Sequence, residues 1–221
     1  MTRIALIHAT PAAVEPIRTA FAQDWPEPDL VNLLDDSLSR DRALAPDLTD
    51  DMYGRFDALG RYALSFGADG ILFTCSAFGP AIERVARSVP VPVLKPNEAM
   101  FAEAIAIGGE IGMLATFEPS IASMAAEFEA DAAQTSDKAG ARITLESRFV
   151  PEAMAALLAG KRDQHDALVA EAGTALAHCK AIMLAQFSMA PAADLLGRKL
   201  PGVRVLTSPG AAVAAMRRRI K

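Results

Sequence analysis

Short apolar runs recur along the chain, and between them lie longer segments whose apolar residues fall three or four positions apart. Arg3 to Ala9 is rich in strand formers and stops at Thr10-Pro11. From Ala12 to Trp25, the residues Val14, Ile17, Phe21 and Trp25 follow on neighbouring turns, which predicts a helix. Leu30 to Leu34 reads as a second strand ended by Asp35-Asp36-Ser37, and the stretch 49–66 as a helix stopped by Gly67. Gly70 to Thr74 predicts a third strand, Pro80 to Ser88 a helix, and Val89 to Leu94 a short strand despite its prolines. The alternation then starts again with a helix over 97–107, a strand over 110–116, a helix over 119–133 and a strand over 141–149. Helices over 152–158 and 165–179, a strand over 181–186, a helix over 191–200, a strand over 203–206 and a terminal helix from Gly210 complete it.

Strands alternating with helices predict parallel sheets covered by helices on both faces. The second half repeats the first in detail. IALIHATP resembles IGMLATFEP, VPVLKPNEAM resembles VRVLTSPGAAVAAM, and ILFTCSAFGP aligns without a gap on IMLAQFSMAP, from Ile71 on Ile182 to Pro80 on Pro191. The offsets agree as well, with 67 residues from Ile4 to Ile71 and 71 from Ile111 to Ile182. The expected fold is therefore α/β, two similar parallel-sheet units related by internal duplication. The first covers 1–95, with the helix 208–221 packing back on it, and the second covers 96–207. An active-site cleft is expected between them, at the carboxyl ends of the strands.

Composition narrows the function. With 52% hydrophobic and 22% charged residues, the 221-residue chain can bury a large core. A net charge of −5 argues against a nucleic-acid partner, and the basic tail Arg217, Arg218, Arg219, Lys221 reads as a solvated helix end. No apolar run is long enough for a membrane span, and nothing resembles a signal peptide. The 2 cysteines and 3 histidines form no disulfide framework or metal-ligand spacing, so a cytoplasmic protein without a metal site is expected.

The strand-end turns would deliver Thr10, Thr74, Cys75, Ser76, Ala77, Thr116, Gln186, Phe187 and Ser188 to the site. Rich in hydroxyls and poor in cations, with no glycine-rich phosphate loop, this set suits a small carboxylate-bearing ligand better than a nucleotide. Cys75, between a strand and a helix start, is placed where backbone N–H groups favour a thiolate. His8, ending the first strand, has the reach to orient a carboxylate or tune Cys75. Cys179 precedes its strand, belongs at the opposite sheet edge and reads as structural. The methionines read as core fillers, and alanine- and leucine-rich helices suggest a homodimer or higher homo-oligomer.

On the Thr74-Cys75-Ser76 turn and the LAQFSMA turn from Leu184 to Ala190, the chain resembles the aspartate/glutamate/hydantoin racemase superfamily, which includes maleate isomerase and arylmalonate decarboxylase. The resemblance covers the whole chain. It implies chemistry at the carbon next to a carboxylate, with one thiol from each half and no metal or pyridoxal cofactor. Cys75 falls on the first thiol position and Gln186 on the second, where Gln186 can hydrogen-bond but cannot act as acid or base. Ser188 is the nearby substitute donor; Thr10, Ser76, Thr116 and Ser188 are the expected carboxylate binders. A racemase or isomerase is the first expectation. The alternatives are a single-thiol decarboxylase of the arylmalonate type, a nucleophilic Cys75, and a non-catalytic sensor of small carboxylates.

Overall fold

The computed structural model describes residues 1–139 and 143–220. Ala141 and Arg142, at the start of the strand expected over 141–149, and Lys221 of the basic tail lie outside the described residues.

The chain divides into two compact units, Met1–Glu98 with Pro209–Lys221, and Ala99–Ser208. In the first unit, β1 (Arg3–His8), β2 (Asp29–Leu34), β3 (Gly70–Phe73) and β4 (Val93–Leu94) form a parallel sheet of order β2-β1-β3-β4. Helices α1 (Val14–Asp24), α2 (Ser37–Leu44), α3 (Asp50–Ser65) and α4 (Gly79–Ser88) link these strands, and α10 (Ser208–Ile220) ends the chain. In the second unit, β5 (Gly109–Ala115), β6 (Ile143–Phe149), β7 (Ala181–Leu184) and β8 (Arg204–Thr207) repeat that order as β6-β5-β7-β8. The helices associated with it are α5 (Glu98–Ile107), α6 (Pro119–Ala139), α7 (Pro151–Leu158), α8 (Arg162–Gly173) and α9 (Ala193–Lys199).

The central strands explain their own sequences. Ile4 to Ile7, Ile71 to Phe73 and Ala181 to Leu184 are all at most 1% exposed, as expected where both sheet faces are covered and alternation gives way to continuous apolar runs. The edge strands β2 and β6 are only partly covered, and Leu34 and Phe149 remain 47% and 40% exposed. Phe56 stacks on Phe73 and tilts against Phe78, with centroids 5.1 and 4.8 Å apart, which ties α3 to the β3 strand end. Gly67, at φ 77°, supplies the left-handed residue that ends α3, in agreement with the sequence pattern.

Several elements differ from expectation. The helix α2 has no counterpart in the sequence reading, because SLSRDRAL buries only Leu38 and Arg42 and so carries almost no apolar stripe. Its start is held by Asp35, whose Oδ1 accepts from the Ser37 N–H at 3.2 Å and the Ser37 hydroxyl at 2.7 Å. Helix α6 runs on to Ala139, and the segment read as one helix over 165–179 is α8 followed by a 3-10 turn, Thr174–Leu176. The basic tail is not simply solvated: Arg217 donates to the Asp24 carbonyl at 3.0 Å, and Arg219 pairs with Glu98 at 2.6 Å. Cys179 is 3% exposed within an apolar cluster that includes Leu114 and Ile182. Met100, Met113, Met124, Met183 and Met189 are equally buried. No helix among the described residues is long and apolar enough to cross a membrane.

Candidate active site at the strand ends

Parallel pairing of β1 with β3 brings Thr74 beside His8 and Cys75 beside Ala9. The ladder continues past the strands, with the Thr74 N–H donating to the Ile7 carbonyl at 3.0 Å. The Ala9 N–H points at the Cys75 sulfur, 3.1 Å away. His8, fully buried, has its Nδ1 2.9 Å from the Thr74 hydroxyl and its Nε2 2.9 Å from Asn32 Oδ1 on β2. Thr74, His8 and Asn32 thus form one contiguous polar row across three strands of the first unit, and Cys75 follows Thr74 along the chain.

The thiol is not the thiolate that its position suggested. Cys75 precedes a 3-10 turn, Ser76–Phe78, rather than the first turn of α4, and is only 8% exposed. Burial pushes its pKa up to about 12, against the smaller downward pulls of the Ala9 N–H and the Thr74 side chain. Near neutral pH Cys75 therefore carries its proton, the state required of an acid.

Burial also lowers the pKa of His8 from its ordinary 6.5, outweighing the hydrogen bond to Asn32. A depressed folded-state value means that His8 favours the native state above pH 6.5 and that this contribution is lost as pH falls through the lowered value. The denaturant midpoint of the wild type is therefore expected to fall more between pH 7 and pH 5 than that of His8→Asn, which has no ring to titrate. Equal falls would show that His8 is not held neutral.

The second unit repeats the backbone of this arrangement and changes its side chains. The Ala185 N–H donates to the Leu114 carbonyl at 2.9 Å, the equivalent of the Thr74 to Ile7 bond. Gln186 stands where Cys75 stands, and its Oε1 accepts from the Thr116 N–H at 2.8 Å, the equivalent of the Ala9 to sulfur contact. The Thr116 hydroxyl also reaches Oε1, at 3.3 Å, and Nε2 donates to the Ser120 hydroxyl at 2.8 Å. In place of His8 and Thr74, this unit has Ala115 and Ala185.

A paired arginine contact accompanies these turns. Arg42, 8% exposed on α2, donates to the Ala77 carbonyl at 3.4 Å and to the Ala45 and Pro46 carbonyls at 2.6 and 3.4 Å. At the equivalent place in the second unit, Arg162 on α8 donates to the Ser188 carbonyl at 3.0 Å. Each arginine holds the residue two positions past the thiol site. Arg42→Met is expected to cost about 2 kcal/mol in chemical denaturation, because it removes charge-assisted bonds from several carbonyls at once. An unchanged midpoint would show that water replaces the guanidinium.

The remaining expected residues are placed as follows. Thr10 accepts from the Ala12 N–H at 3.4 Å and caps a short 3-10 turn. Ser76 is half-buried in the turn after Cys75. The Ala77, Thr116, Phe187 and Ser188 side chains are 1 to 4% exposed. Sequence reading missed Asn32, Ser120, Arg42 and Arg162. Only Ser120 carried a local signal, as a hydroxyl just inside a proline-led helix start. Among the described residues, no three His, Cys, Asp or Glu side chains gather as metal ligands would.

Comparison of the sequence with curated proteins finds no match. Solved structures with the same fold are numerous. A glutamate racemase isoform from Bacillus anthracis superposes with a TM-score of 0.75 at 13% identity, covering 98% of this chain and 80% of that one. Allantoin racemase from Klebsiella pneumoniae gives 0.64 at 19% identity, with 99% and 87% covered. A variant of arylmalonate decarboxylase in a sulfate-associated form gives 0.66 at 16% identity, with 99% and 93% covered. A family model described as Asp/Glu/Hydantoin racemase matches residues 5–216, and the chain belongs to that family.

Proposed function

We propose that the protein is a cofactor-independent enzyme that moves a proton at the carbon next to the carboxylate of a small acid, with Cys75 as its acid–base group. Membership of a racemase family supports racemase-type chemistry of this kind. The observation that carries the reading is the buried Cys75 thiol, protonated at neutral pH and held by the Ala9 N–H at the end of β3. A thiol that has released its proton to a carbanion becomes a thiolate, which the same N–H then stabilises.

A specific observation favours one version of this chemistry. Gln186 has no acid–base equilibrium, and both ends of its amide are engaged by Thr116 and Ser120. Cys75 alone supplies a proton to one face of the substrate carbon, so a product of one hand follows, as in decarboxylation of a malonate. Racemisation, the family's own chemistry, needs a second group, and Ser188, two residues past Gln186, is the candidate for it. Incubation with amino acids, hydantoins, arylmalonates and maleate distinguishes these outcomes. Release of carbon dioxide with a one-handed product is expected. Loss of optical activity from an amino acid or hydantoin would establish racemisation instead, and binding without turnover would establish a sensor.

A further inference from the structure

We propose that Arg55 is a positioning residue for Cys75: through Asp35 it fixes the His8–Ala9 peptide, whose N–H meets the thiol. The inference rests on the reading of Cys75 as the reacting group. Arg55, on α3, grips one carboxylate oxygen of Asp35 with two donors, Nε at 3.0 Å and Nη2 at 2.5 Å, and reaches Asp41 with Nη1 at 2.5 Å. Ser37 donates its hydroxyl to the other Asp35 oxygen and accepts from Arg55. The Asp35 N–H, held in this way, donates to the His8 carbonyl at 3.1 Å. That carbonyl and the Ala9 N–H belong to one peptide group, and the N–H points at the Cys75 sulfur. On its other side Ala9 is held as well, its carbonyl accepting from the Ser39 hydroxyl of α2 at 2.8 Å. A peptide bonded at its carbonyl is fixed in orientation and is a stronger donor at its nitrogen. Against the larger, opposite effect of burial, this N–H favours the thiolate that remains once Cys75 has given up its proton.

The internal repeat gives independent support. Pairing of His8 with Leu34 and of Ala115 with Phe149 makes Val150 the counterpart of Asp35. The Val150 N–H donates to the Ala115 carbonyl at 2.8 Å, and the same peptide presents the Thr116 N–H to Gln186. Both units therefore hold this peptide from the end of the edge strand, by different means. Val150 is anchored by burial, in the apolar cluster that includes Leu114 and Val169. Asp35 has no such anchor, since its side chain is 28% exposed and the α2 helix that follows buries only Leu38 and Arg42. In the unit with the thiol, an ion network does what apolar packing does in the other.

NMR of the intact protein tests the proposal, with the Ile71 amide of the same unit, which donates to the Pro92 carbonyl at 2.9 Å, as internal reference. In Arg55→Met the Ala9 amide is expected to exchange with solvent deuterium about fivefold faster than in wild type, in keeping with the loss of a partly buried, two-pronged ion pair. Its proton resonance should move upfield, the direction that removal of the acceptor in Cys75→Ala also gives. The Ile71 amide should keep its wild-type rate. Arg55→Lys, which keeps the charge but loses the fork, covers the case in which Arg55→Met does not fold, and should show the same changes at Ala9, reduced in size. An Ala9 amide unchanged in rate and shift would overturn the proposal. So would equal acceleration at Ala9 and Ile71, which would mark a general loss of stability. Neither readout needs turnover, so both stand apart from the outcome with the acids above.

Discussion

Cys75→Ala is expected to reduce turnover by at least about a thousandfold while leaving the fold intact. Positioned acid–base groups contribute about a hundredfold to ten-thousandfold, and here one group is asked to supply the whole of the proton transfer. Its neighbours cannot substitute. The Thr74 hydroxyl is already engaged by His8, and His8 is buried with both nitrogens occupied. Loss of the sulfur from a site that is 8% exposed leaves only a small void, so circular dichroism and the denaturation midpoint should change little. Cys75→Ser keeps a hydroxyl near the Ala9 N–H but offers a far weaker acid, and is expected to be nearly as inactive. Turnover by either variant within tenfold of wild type would remove Cys75 from the mechanism.

The second large effect is expected from Gln186→Cys, as a gain: interconversion of the two hands of a chiral acid, undetectable in wild type, should become measurable by chiral chromatography. A cysteine at this position meets the Thr116 N–H, which now donates to Gln186 Oε1 as the Ala9 N–H donates to Cys75. The substitution therefore places a thiol on a backbone donor that already exists. On the proposed reading it adds the second thiol that two-thiol racemisation requires. The cost is modest, since Ser120 loses the Nε2 donor but keeps its bond to the Phe117 carbonyl, a difference of about 1 kcal/mol. A folded Gln186→Cys variant with no interconversion would contradict the reading that a thiol at this position completes two-thiol chemistry.

These expectations depend unequally on sequence and structure. The buried parallel strands announce themselves as unbroken apolar runs, and the gapless match of Ile71 to Pro80 with Ile182 to Pro191 exposes the repeated unit and the exchange of Cys75 for Gln186. The α2 helix was illegible because its inward face is Leu38 and the guanidinium of Arg42, which no apolar periodicity registers. Asn32 was illegible for another reason. In sequence it is one polar residue in an edge-strand run, and its importance arises only because β1 lies between β2 and β3, so that His8 reaches a partner on either side. The charge state of Cys75 differs from what its position along the chain suggests. A thiol ahead of a helix suggests a thiolate, but the intervening 3-10 turn and the burial around it favour the neutral form. Burial is a property of the packed unit, not of the turn.

The same burial predicts how the wild-type thiol reacts. With a pKa of about 12, its thiolate fraction should rise tenfold per pH unit throughout the range from 7 to 10, and the iodoacetamide labelling rate of Cys75 should rise with it. A plateau reached below pH 9 would mean that the thiol is ionised far more easily than its surroundings imply.

The most direct test of Cys75 as the sole proton donor is the fate of deuterium during turnover in heavy water. Each acid of the panel is incubated with wild type and with Cys75→Ala, and the product is analysed by mass spectrometry and chiral separation. The expected result is one deuterium at the carbon next to the carboxylate, in a single hand, from wild type and none from the variant. Deuterium incorporated equally by Cys75→Ala, or delivered by wild type to both faces of the carbon, would contradict it.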